Sequence, residues 1–170
     1  MHWVGTWTTT PAAVEGIALA NQTVRMIARV SIGGSAVRVR ISNACGTRRL
    51  EIGAAGVEGR PLTFNGSRST TVPAGALAVS DPVELQIKPL SDVAVTVYVP
   101  GEVPDAQVTG HGNAHQTNYI STPGDHTAAA DMPVLQTTEA FLFASGVEVL
   151  APDETGAIVA VGYSLTDANI

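Results

Sequence analysis

The stretch TVRMIARVSIGGSAVRVRIS, Thr23–Ser42, decides the fold class. Val24, Met26, Ala28 and Val30 share one parity, and Arg25, Ile27, Arg29 and Ser31 share the other. A period of two is the mark of a strand with one buried face. Ala36–Ser42 alternates in the same way, with Val37, Val39 and Ile41 in step. Between them lies Gly33-Gly34. A Gly-Gly pair readily adopts the positive φ of a two-residue hairpin, so the stretch predicts two strands joined as a β-hairpin.

Working outward, further strands are expected at Arg49–Ala54, Ser69–Val72, Ala76–Ser80, Val83–Ile87 and Asp92–Val99. Others follow at Gln116–Ile120, Ala140–Leu150 and Ala157–Val161. The run DVAVTVYV is rich in β-branched and aromatic residues, which suit a pleated surface. Pro61, Pro73, Pro82, Pro89, Pro100 and Pro104 fall between runs, where a missing N–H breaks no ladder. The one helical candidate, near Ala128–Asp131, is short. The expected fold is all-β: a single β-sandwich or jelly-roll-like domain of antiparallel strands over residues 1–152. Residues 153–170 read as a linker, Pro152-Asp153-Glu154-Thr155-Gly156, and a different kind of run. Ala157–Gly162 is apolar throughout, as in a strand buried on both faces.

Composition narrows the function classes. With 170 residues the chain can bury a core, and with 45 % hydrophobic residues it is not a disordered type. The net charge of −6, with arginines spaced singly along strands, argues against nucleic acid and gives no attraction to anionic membranes. Only 14 % of residues are charged, so much of the exterior is expected to be Ser, Thr, Gly, Asn and short loops, or else part of it to be covered by a partner. No run reaches the roughly 18 apolar residues of a membrane span, and no secretory signal precedes His2-Trp3-Val4. The single cysteine, Cys45, allows no internal disulfide and reads as a small core residue.

The stretch Val159-Ala160-Val161-Gly162-Tyr163-Ser164-Leu165-Thr166-Asp167 resembles the nucleophile block of the SGNH (GDSL-type) hydrolases, Gly-Asp-Ser-Ile/Leu-Thr-Asp. Tyr163 departs from the pattern, which has Asp there. The stretches WVGTW, NQTVRMIARVSIGGSAVRVRISNACGTRRLEIGAA and GHGN…TNY…PGDHTAAAD resemble the β-sandwich domain that precedes the catalytic domain in one branch of secreted bacterial SGNH esterases. The resemblance covers nearly all of the chain. It implies a secreted bacterial protein and makes Ser164 the match to the nucleophile. In that family the His base, its Asp and the oxyanion donors follow far downstream, whereas here only Ala168, Asn169 and Ile170 remain. A serine without a positioned base is a poor nucleophile. The expectation is an accessory domain that binds substrate or docks on a catalytic domain.

A second reading starts from His111, His115 and His126 in GHGNAHQTNYISTPGDH, with Asp125 and Tyr119 as secondary candidates. Three imidazoles around an open position can hold a divalent metal such as zinc for hydrolysis. The chain would then be a small hydrolase of activated esters or phosphoesters. Against this, His111 and His126 could simply brace loops. The expected ligands are a small-molecule ester, phosphoester or carbohydrate. Trp3, Trp7, Tyr98, Tyr119, Phe141 and Phe143 could stack sugars or could pack the core, with Trp3 and Trp7 sharing one strand parity. Asp105, Asp125, Asp131, Asp153 and Glu154 all sit in turn-like contexts. A third reading is a homo-oligomer in which the exposed C-terminal strand adds to a neighbour.

Overall fold

The computed structural model describes residues 1–162 and Thr166. In chain order the strands are β1 (His2–Thr8), β2 (Ala12–Val14), β3 (Leu19–Arg29), β4 (Gly34–Ser42), β5 (Leu50–Ile52), β6 (Ala54–Val57), β7 (Arg60–Pro61) and β8 (Thr70–Val72). They continue with β9 (Leu77–Val79), β10 (Val83–Ile87), β11 (Asp92–Val103), β12 (Val108–His111), β13 (Asn118–Pro123), β14 (Val134–Thr138), β15 (Phe141–Leu142) and β16 (Ala144–Ala151). The fold is all-β. There is no helix among the described residues, and hence none long and apolar enough to cross a membrane.

All the paired strands run antiparallel. One sheet has the order β1-β16-β4-β10, with β9 also on β4. A second has the order β14-β13-β3-β11-β6-β7. Two small sheets, β15-β12-β2 and β5-β8, complete the fold. The two large sheets contribute to one continuous core: Val24, Met26 and Ala28 of β3 and Val93, Val95 and Val97 of β11 belong to it with Val37, Val39 and Ile41 of β4 and Val147 and Val149 of β16.

The expected alternation therefore holds, but the expected hairpin does not form. β3 pairs with β11 and β13, whereas β4 pairs with β16, β10 and β9. Gly33-Gly34 carries the chain from one sheet to the other. Neither glycine has positive φ. Their lack of a side chain serves close approach instead: a Cβ on Gly33 would lie 2.3 Å from the Ile87 carbonyl oxygen, and one on Gly34 would lie 2.7 Å from that of Leu150. Side-chain parity reports which face is buried. It is silent on which strand lies alongside.

Parity also fails for the tryptophans. The β1–β16 register shifts between Gly5 and Trp7, so Trp3 lies opposite Leu150 while Trp7 lies opposite the buried Val147. That bulge turns Trp7 inward, edge-on to Phe141 with ring centroids 4.6 Å apart. Trp3 stays on the outer face under the Arg38 guanidinium. Phe141 and Phe143 are buried, as core residues. The segment near Ala128–Asp131 is a turn and bend, not a helix.

The last strand ends at Ala151. Residues 157–162 lie outside every described strand and are exposed, contrary to the expected buried strand. A strand buried on both faces needs neighbours and cover, and none of the described strands pairs with this run.

Candidate functional site

The six-stranded sheet buries one face and turns the other outward. Its pairings align Tyr119 of β13, Arg25 of β3, Thr96 of β11 and Gly56 of β6 as one rung across that sheet. Alternation sends Val24 and Met26 to the core, so Arg25 and its rung lie on the opposite face. The loop Gly124–Ala130, which follows β13, lies over this face.

Polar residues of β3 hold the loop down. Thr23 Oγ1 donates to the Gly124 carbonyl at 2.9 Å and accepts from the His126 amide at 2.9 Å. The Arg25 guanidinium donates to the carbonyls of Ala129 and Ala130. Gly56 keeps the sheet low beneath it: a Cβ there would come within 2.9 Å of Thr96 Oγ1. Asp125 closes the loop on itself, its Oδ1 accepting from the Thr127 amide at 3.0 Å and from Thr127 Oγ1 at 2.7 Å. This is turn chemistry, as its sequence context suggests.

Between this loop and the β6–β7 hairpin is a cleft of about 270 Å³. Ala54, Ala55, Pro61, Leu62, Ala128 and Ala129 give it apolar walls, and Arg68, Asp125 and His126 also line it. A second cleft of about 260 Å³ lies on the Arg25 side and shares Gly59, Ala128 and Ala129 with the first. Two buried polar atoms around the loop have no hydrogen-bond partner, His126 Nε2 and Arg25 Nε. Buried polar atoms are paired in the great majority of cases, so these two stand out.

The three histidines of the metal reading do not come together. His111 ends β12 in a small sheet, where its Nδ1 lies 2.9 Å from the Thr10 carbonyl. His115 is exposed in the following loop with φ of 49°. His126 lies beyond β13, on the loop over the six-stranded sheet. Among the described residues no group of three or more His, Cys, Asp or Glu side chains is placed to hold a metal ion. The zinc reading is corrected accordingly: the loop 112–117 carries the chain from the β12 sheet to β13 in the six-stranded sheet, and His126 follows β13, so the short stretch of sequence is spread apart. Tyr119 stands on the Arg25 rung and does not line the cleft. Ser164 lies outside the described residues.

Sequence reasoning names His126 and Asp125 only for the metal reading, and does not single out Thr23, Arg25 or Arg68 as site residues. Thr23 and Arg25 had a signal: polar residues within β3 of the parity opposite to the buried Val24 and Met26. Arg68 had none. The chain matches no protein-family model and no curated protein.

Proposed function

We propose that residues 1–152 form a non-catalytic accessory β-sandwich of a secreted bacterial SGNH-type hydrolase, and that this domain docks on a catalytic unit through the apolar run after Gly156. The observation that carries the reading is the exposure of that run: 101 % at Ile158, 78 % at Val159 and 91 % at Val161. The β-domain closes its core at Ala151 without them, so their cover comes from outside residues 1–152. A run of this composition suits a strand buried on both faces of a parallel sheet. The resemblance of Val159–Asp167 to the SGNH nucleophile block supports the identity of that sheet. On this reading Ser164 belongs to the catalytic unit and gains its base and oxyanion donors there.

The test is an assay of the purified 170-residue chain on p-nitrophenyl acetate and p-nitrophenyl phosphate, with and without chelator. No turnover above buffer is expected. Chelator-sensitive turnover, or turnover that disappears in Ser164→Ala, overturns the proposal. The docking half is read separately with Val159→Asp. The unfolding midpoint should stay unchanged, because the run contributes nothing to the β-domain's own packing. A lowered midpoint would mean that the run packs on its own β-domain, and the docking reading would fail.

A further inference from the structure

We propose that the cleft under the Gly124–Ala130 loop binds a small carboxylate with a short aliphatic body. The inference does not depend on the docking reading, and either can fail alone.

The size comes first. At about 270 Å³ the cleft lies just under the roughly 300–1,000 Å³ of sites for drug-sized ligands. It holds on the order of nine water-sized groups at about 30 Å³ each, which sets the scale of a small acid. The walls decide the body of the ligand. Ala54, Ala55, Pro61, Leu62, Ala128 and Ala129 offer apolar contact without one aromatic ring. A sugar would find no face to stack on, while a short alkyl chain would find contact on several sides.

The polar residues decide the head group. His126 Nε2 is buried and without a hydrogen bond, and His126 forms part of the cleft wall, so a ligand in the cleft is the partner assigned to it. Arg68 lines the same cleft, and its guanidinium forms no ion pair or hydrogen bond with any described residue. It can only donate. The remaining charge, Asp125, is engaged in holding the turn through Thr127, and it is exposed. The unused capacity is thus a guanidinium and, in the Nε2–H tautomer, an imidazole N–H. A carboxylate accepts from both, and charge-assisted bonds of this kind are the strong ones.

The test is titration of the full chain with acetate, butyrate and butyramide, followed by calorimetry and by the ¹⁵N shift of the His126 ring. Saturable butyrate binding is expected, tighter than acetate by roughly fourfold per added CH₂ while the walls are being filled. Butyramide, of the same shape without the charge, should bind roughly tenfold more weakly. Arg68→Gln, an exposed substitution, should weaken butyrate up to about fivefold with the circular dichroism spectrum unchanged. The His126 Nε2 resonance should move with butyrate alone. Absence of saturable butyrate binding, equal binding of butyramide, or undiminished binding by Arg68→Gln overturns the proposal.

Discussion

The guanidinium of Arg25 donates to the carbonyl oxygen of Ala130 at 2.9 Å, joining β3 to a loop 105 residues further on. Its other terminal nitrogen donates to Ala129. A planar guanidinium offers rigid, paired donors, so one side chain fixes two successive carbonyls and with them the roof shared by both clefts. Arg25→Met keeps much of the apolar stem and removes the donors. The expected cost is about 1.5–3 kcal/mol, the range for hydrogen bonds to a charged group, towards the lower end because Arg25 is only partly buried. Hydrogen exchange should localise the effect. Amides of 124–130 should exchange faster, while those of the β3–β11 ladder slow-exchange as before.

Gly33 makes a sharper prediction. A methyl group there meets the Ile87 carbonyl at 2.3 Å and the Pro89 ring at 3.1 Å, and a carbonyl in a strand cannot move aside cheaply. Gly33→Ala should cost about 1–3 kcal/mol, the range for overpacking. Gly101→Ala is the control, because nothing lies within 4 Å of its added Cβ. Denaturant midpoints of the two variants should separate clearly. Equal midpoints would show that Gly33 serves the chain's flexibility and not close approach.

That same glycine shows where the sequence stopped being legible. The alternation in Thr23–Ile32 and Ala36–Ser42 was readable because each strand has one buried face, and Val24, Met26, Val37 and Val39 are all buried. Pairing was not readable. Val95 opposite Met26 is a contact between distant segments, and no local spacing encodes it. The bulge that turns Trp7 inward is likewise a matter of register, with Gly5 as its only trace. At the site, Asp125 and His126 were legible as chemistry-bearing residue types. Their neighbour Arg68 arrives from a turn far away in the chain, and His111 leaves for another sheet. Spacing among histidines therefore carried no information on convergence.

Glu148 lies 6 % exposed between two arginines of the adjacent strand. Its carboxylate accepts from Arg40 Nε at 2.7 Å, and Arg38 Nε donates to its other oxygen. Arg38 also covers the Trp3 ring at 4.6 Å. Removing one member of a buried ion cluster strands the others, at a cost of about 3–5 kcal/mol when all are dry. Here both arginines keep partial access to water, so roughly 2 kcal/mol is expected for Glu148→Gln. Trp3 fluorescence should change with it, since Arg38 loses the carboxylate that fixes it over the ring. Unaltered Trp3 emission would show that Arg38 is positioned by the ring alone.

Asp81 contributes to the response to acid. Its carboxylate accepts from Thr63 Oγ1 at 2.7 Å, from the Gly66 amide at 2.7 Å and from the Asn65 amide at 3.1 Å. These bonds, that from Thr63 foremost, favour the ionised form and hold its pKa below the ordinary value of 3.8. A carboxyl group whose pKa is lower folded than unfolded binds fewer protons in the folded state. Its contribution is complete above the unfolded value, fades as the pH falls from about 3.8, and is gone below the depressed folded value. Asp81→Asn removes the titration. Its unfolding midpoint should lie below that of the parent chain at pH near 6, and the two curves should converge on acidification below pH 4. Parallel curves over the whole acid range would mean that Asp81 acts through shape and not through charge.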